Sequence, residues 1–100
     1  MTTITNTTKN YELTILVDEV ATQEVIDGLT EKVKGYGKIT SIEDDGVKRL
    51  AYPIQRVRLH EKAHYLYYTL ELEDGVPAEL SSNLNIDDNI VRYLLVRASR

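Results

Sequence analysis

Hydrophobic and polar residues alternate along YELTILVD, residues 11–18. Tyr11, Leu13, Ile15 and Val17 fall on one side, and Glu12, Thr14 and Asp18 mostly on the other. This period of two predicts a first strand with one covered face. The period then lengthens: Val25, Ile26, Leu29 and Val33 form one stripe of a helix predicted over 22–34,. Thr22 is placed as its N-cap, Glu24 and Asp27 suit the positive end of its dipole, and Gly35 and Gly37 close it,. KITSIEDDGVKRLAYPI, 38–54, reads as a long second strand interrupted near EDDG, where Asp45-Gly46 supplies a turn or bulge,. QRVRLHEKA, 55–63, has no apolar period and reads as a polar hairpin connection. HYLYYTLELE, 64–73, alternates again, with Leu66, Tyr68, Leu70 and Leu72 on one face and Tyr65, Tyr67, Thr69 and Glu71 on the other. Pro77 suits the first position of a short second helix carrying Leu80 and Leu84, and IVRYLLV, 90–96, is a last strand apolar on both faces,.

The order β-α-β-β-α-β predicts an α+β domain of the ferredoxin-like, split β-α-β kind: a four-stranded antiparallel sheet with both helices on one face. Right-handed crossovers place the first and third strands in the middle. The second face of such a sheet is bare. Tyr65, Tyr67 and the outward half of IVRYLLV meet there, and an exposed aromatic and apolar patch marks a binding surface.

One hundred residues, 42% hydrophobic and 28% charged, suit one domain, expected over 10–98 behind a flexible segment at 1–9,. There is no cysteine, which excludes a disulfide framework, a thiolate metal site and a cysteine nucleophile,. MTTITNTTKN lacks the cationic start and apolar run of a signal peptide, and no apolar stretch nears the ~20 residues of a membrane span. The expected setting is therefore intracellular, with no membrane partner. A net charge of −4 weighs against nucleic acid, because phosphate contacts use Lys and Arg,. The distribution changes that balance. Lys48, Arg49, Arg56, Arg58 and Lys62 stand against Glu61 alone over 46–70, whereas 71–88 holds six acids and no base,.

HEKAH, residues 60–64, spells the zinc-protease pattern H-E-x-x-H. That pattern works on a helix, where residues four apart share a face; on a strand they stand roughly 13 Å apart and cannot share a metal bound at about 2 Å. The motif is expected to be part of a solvated hairpin tip, with His64 a strand residue beside the open-face tyrosines. Glu43, Asp44 and Asp45 lack the spacing of a calcium loop. No Gly-rich phosphate loop or nucleophile elbow occurs, so neither a cofactor, a small-molecule substrate nor catalysis is expected. GVKRLAYPI, 46–54, instead joins Lys48 and Arg49 to Tyr52, the cation-plus-aromatic set that meets phosphates and bases, although at most one of Lys48 and Arg49 can face the open side.

Taken together, YELTILV, YGKI at Tyr36-Gly37, GVKRLAYPI, HYLYYTLELE and NIVRYLLVR resemble the family of ribosomal protein six of the bacterial small subunit, over about residues 10–98. The resemblance implies a structural, non-enzymatic ribosomal protein. It would bind the central domain of 16S ribosomal RNA cooperatively, as a heterodimer with the small subunit's ribosomal protein eighteen. It also implies contact with RNA or partner at Tyr11, Lys48, Arg49, Tyr52, Arg92 and Arg97, with Lys48, Arg49 and Arg92 meeting phosphates; Tyr65 and Tyr67 join the candidates from the open-face pattern. The chain departs from the family at Lys9-Asn10, where a basic pair is expected, and at Val91, where a basic residue often stands. The competing reading is a ferredoxin-like protein-interaction or small-molecule regulatory domain that binds no RNA.

Overall fold

The computed structural model describes residues 8–56 and 58–98. Most of the segment expected to be flexible lies outside the described residues, and Lys9 already belongs to the first strand. In chain order the elements are β1 (Lys9–Asp18), α1 (Gln23–Lys34), β2 (Lys38–Arg56), β3 (Arg58–Leu72), α2 (Val76–Asn85) and β4 (Ile90–Arg97). They build one antiparallel sheet in the order β2-β3-β1-β4, with β1 and β3 central as the handedness of the crossovers requires,.

The alternation of β1 and β3 decides which side is core. Leu13 stands opposite Tyr68, and Ile15 opposite Leu66, so their side chains share the helix-covered face,. Leu13, Ile15, Val17, Leu66, Leu70 and Leu72 are buried there beneath Ile26, Leu29 and Val33 of α1 and Leu80 and Leu84 of α2. Tyr68 is the one buried tyrosine in this core, and its Oη lies 2.8 Å from Thr30 Oγ1. Thr30 spends its own proton on the Ile26 carbonyl, so Tyr68 is the donor. Burial pushes the Tyr68 hydroxyl above its ordinary pKa,.

Local signals account for the ends of the elements. Thr22 Oγ1 accepts the Val25 N–H and caps α1,. Gly35 closes the helix in right-handed geometry, its N–H bonded to Glu31 O at 3.1 Å, so no left-handed cap is used. Gly37 is needed for a different reason: a Cβ there would collide with the Glu71 carbonyl oxygen and the Leu72 side chain across the sheet,.

The bulge expected at Asp45-Gly46 is present, whereas the expected hairpin connection needs correction. EDDG does not interrupt β2; Asp45 is an extra residue between the pairs Asp44–Leu66 and Gly46–Tyr65, and Gly46 takes φ 77° to form the bulge,. The described residues of QRVRLHEKA are strand, not connection, for β2 runs to Arg56 and β3 starts at Arg58. The arm they form extends beyond the end of β1, whose pairing with β3 stops at Asp18 and Ala63. Its polar sequence hides it; its order comes from β2–β3 backbone pairing and from side-chain ties. Arg58 Nη2 meets Asp18 Oδ1 at 2.7 Å, and Arg56 Nη2 donates to the carbonyls of Asn85 (2.7 Å) and Asp87 (3.3 Å). The arm thus curls from one edge of the sheet to the α2–β4 loop at the other.

HEKAH therefore lies within β3. His60 is not solvated: it is 3% exposed, with Nε2 3.0 Å from the Arg56 carbonyl oxygen. His64 is a strand residue but turns to the side of Leu66, away from the tyrosines, with Nε2 2.6 Å from Asp44 Oδ1,.

Candidate partner and nucleic-acid surface

The alternation that buries Leu13 and Ile15 sends Thr14 and Leu16 to the uncovered face. Register then sets their neighbours. Leu16 lies between Tyr65 of β3 and Arg92 of β4; Thr14 lies between Tyr67 and Leu94; Glu12 lies between Thr69 and Val96. The result is a surface two strands wide in tyrosine and leucine, bordered by the apolar side chains of β4.

The end of β4 nearest the arm carries a second bulge. Leu16 pairs with Arg92 but Val17 with Ile90, which leaves Val91 as the extra residue. Ile90 and Val91 are consequently both buried, and the alternation restarts so that Arg92, Leu94 and Val96 face outward while Tyr93 and Leu95 pack towards the core,. Leu94 is 60% exposed and Val96 41%. Large aliphatic groups left this open on a flat sheet face mark a surface that gains by being covered.

Tyr65 and Tyr67 stand with ring centroids 6.3 Å apart, tilted by 38°. The Lys48 ammonium sits 5.0 Å above the Tyr65 ring, which identifies Lys48 as the member of the Lys48–Arg49 pair on this face,. Lys48 is also 3.0 Å from Asp45, whose bulge turns it to the same edge. Their hydrogen bond raises the Lys48 pKa and lowers that of Asp45, while a hydrogen bond from Glu43 to Asp45 lifts Glu43 above the ordinary carboxylate range. Lys48 is thus a cation with a solvated counterion, which a phosphate can replace at little cost because exposed pairs contribute at most about 1 kcal/mol.

The residues singled out from sequence divide into three places. Lys48, Tyr65, Tyr67 and Arg92 share the open face. Tyr11 and Arg97 are cross-strand partners on the helix-covered side, where Tyr11 packs against the core. Arg49 and Tyr52 belong to the arm: Arg49 reaches Glu61 at 3.9 Å, and Tyr52 is 82% exposed in the stretch where β2 and β3 lose register. Sequence reasoning passed over Leu16, whose signal was an apolar residue on the polar half of the β1 alternation. It also passed over Arg56, for which no local signal exists, since its position depends on the curl of the arm.

The family model described as Ribosomal protein S6 matches residues 10–97. A small ribosomal subunit protein bS6 of Clostridioides difficile is 32% identical over 94 residues, covering 90% of this chain and 99% of that protein. The bS6 of Rhodospirillum centenum is 28% identical over 95 residues, covering 90% of this chain but 56% of that longer protein. The chloroplastic protein Regulator of Fatty Acid Composition 3 of Arabidopsis thaliana is 32% identical over 94 residues, which span 29% of its length. The crystal structure of 30S ribosomal protein S6 from Thermotoga maritima shares the fold with a TM-score of 0.77 at 21% identity, over 91% of this chain and 88% of that one. The match runs from the second residue of β1 to the last of β4, and on it the chain belongs to the ribosomal protein S6 family of the small ribosomal subunit.

Proposed function

We propose that this small-subunit protein, working in the cytoplasm as part of the ribosome, binds the central domain of 16S ribosomal RNA as a heterodimer with ribosomal protein eighteen, and that its role is structural rather than catalytic. The observation that carries the reading is the bare sheet face, where Leu16, Tyr65, Tyr67, Leu94 and Val96 form a continuous aromatic and aliphatic surface with Lys48 and Arg92 on it. An apolar centre with charged groups at its margin is the arrangement of a protein interface. Tyrosine suits it, combining a large rigid area with a polar tip. The net charge of −4 fits the same scheme. A basic partner supplies cations that this chain lacks, so the pair meets RNA where the single chain is repelled.

The test is binding of the purified chain to a central-domain fragment of 16S ribosomal RNA, with and without ribosomal protein eighteen, titrated across salt. Tight binding only with the partner present supports the reading. Absence of binding to RNA and to partner at every salt concentration overturns it, and leaves a ferredoxin-like domain with another ligand.

A further inference from the structure

The two edges of the sheet are not alike. At one edge, the pairing of β2 with β3 slips between Ile39 and Ser41, again at Asp45 and again between Arg49 and Ile54. The same strand carries Lys38, Glu43, Asp44, Asp45, Lys48, Arg49 and Pro53. Bulges, charges and proline are the devices that keep an edge strand from pairing with another chain. At the other edge, β4 slips once, at Val91, and is regular from there on. Its register with β1 is unbroken from Arg92 to Arg97, and the stretch between those arginines, YLLV, is aromatic and aliphatic. Such a stretch on an open edge is a template for a further strand.

The register shows which backbone groups β4 leaves over. The Ala98 N–H donates to the Asn10 carbonyl at 2.8 Å, and pairs along an antiparallel ladder alternate between those that exchange hydrogen bonds and those that do not. Val96, Leu94 and Arg92 therefore bond to β1, whereas the N–H and C=O groups of Tyr93, Leu95 and Arg97 point outward. Among the described residues no strand lies beyond them. Leu94 and Val96, exposed on the bare face, add apolar area at the same edge.

We infer that the free chain pairs with a second copy of itself, β4 antiparallel to β4, so that two four-stranded sheets become one of eight strands. The outward groups fix the register. A twofold axis at Leu95 sets Leu95 against its own copy and Tyr93 against Arg97 of the second copy, which uses every outward N–H and C=O from Tyr93 to Arg97 on both chains. On the bare face it sets Leu94 against Val96 of the second copy, an aliphatic pair that occurs twice, and on the other face it brings Arg97 beside an aromatic ring. Neither arginine meets another, for Arg92 stands opposite Ala98. An axis at Leu94 would instead demand outward groups from Val91, the bulged residue. So short a ladder makes a small interface and a weak, concentration-dependent dimer. The inference concerns the chain before any other partner meets it and does not rest on the ribosomal reading.

Sedimentation velocity of the full chain is expected to show a reversible shift from monomer to dimer as concentration rises. Arg97→Pro removes an outward N–H at the end of an edge strand, where proline is tolerated. It is expected to weaken the dimer about tenfold, for the two hydrogen bonds lost per dimer, with the circular dichroism of the parent retained. Cross-linking reads the register, because the chain has no native cysteine. Opposed residues that do not exchange hydrogen bonds stand about 4.5 Å apart at Cα, within disulfide reach, and diagonal ones about 7–8 Å apart, outside it. Oxidation of mixed Leu94→Cys and Val96→Cys chains should therefore give linked dimer several-fold faster than either variant alone. A chain that stays monomeric up to about 1 mM overturns the inference. So does a dimer that Arg97→Pro leaves unchanged and in which Leu94→Cys links to itself as fast as to Val96→Cys, since the contact then lies between bare faces and not between edges. Both outcomes leave the proposed function to its own RNA titration.

Discussion

Leu94 gives the sharpest test of the proposed docking at the open face, because its exposed side chain has much to gain from a covering partner and gives little to folding. Replacing it by alanine removes three carbons, worth about 2.4 kcal/mol when fully buried at roughly 0.8 kcal/mol each. In the free chain the residue is 60% exposed, so about 1.4 kcal/mol of that transfer is still to be gained when a partner covers the face. The expected result is a tenfold weaker Kd for ribosomal protein eighteen, roughly 1.4 kcal/mol, read by calorimetric titration. The remaining share, about 1 kcal/mol, is the ceiling on lost stability and corresponds to a fall in Tm of about 4–8 °C at most. The loss of affinity should be nearly the same at low and high salt, since no charge is altered. Leu95→Ala provides the opposite pattern, because Leu95 packs towards the core: greater loss of Tm, smaller direct loss of contact. A Leu94→Ala protein that is folded and binds the partner within twofold of the parent removes β4 from the interface.

Three further outcomes follow from the geometry. Alanine at both Lys48 and Arg49 should lower the salt slope of ribonucleoprotein assembly by about one or two, measured across a salt titration, and an unchanged slope removes both from contact with RNA. Gly37→Ala places a Cβ against the Glu71 carbonyl oxygen, so chemical denaturation should show a loss of about 1–3 kcal/mol; a loss below half of that means the α1–β2 turn relaxes freely. Asp87 has its pKa lowered: burial acts to raise it but is outweighed by the Asn89 N–H and the Lys32 ammonium. A folded pKa below the unfolded one makes its contribution fully present above the unfolded carboxylate range and lost as pH falls through the depressed folded value. Asp87→Asn should therefore cost more stability near pH 7 than near pH 2 in parallel urea unfoldings, and equal losses at both refute the assignment.

The regular elements were legible where one face of each meets a core. YELTILVD and HYLYYTLELE show alternation because Leu13, Ile15, Leu66 and Leu70 are buried on one side only, and α1 announces itself through Thr22 and the stripe of Ile26, Leu29 and Val33. The bare face was legible for the same reason, as tyrosines where a solvated strand would carry charge. Two things escaped. The arm has no hydrophobic period, and so QRVRLHEKA reads as loop although β2 runs to Arg56 and β3 starts at Arg58. The bulge at Val91 was equally silent, yet it decides that Arg92, Leu94 and Val96, rather than Tyr93 and Leu95, reach the surface.

What the sequence determined by itself is the order of elements, the core and the family, since each depends on near neighbours in the chain and on which residues avoid water. The tertiary structure alone decided which candidate residues stand together. Lys48, Tyr65, Tyr67 and Arg92 come from three strands and meet through register; Tyr11 and Arg97 are turned to the other side by the same register; Arg56 reaches the neighbourhood of Arg92 only because the arm crosses the end of the sheet. Register and curl are set by pairings between residues distant in sequence, and such pairings leave no mark on the local pattern of apolar and polar positions.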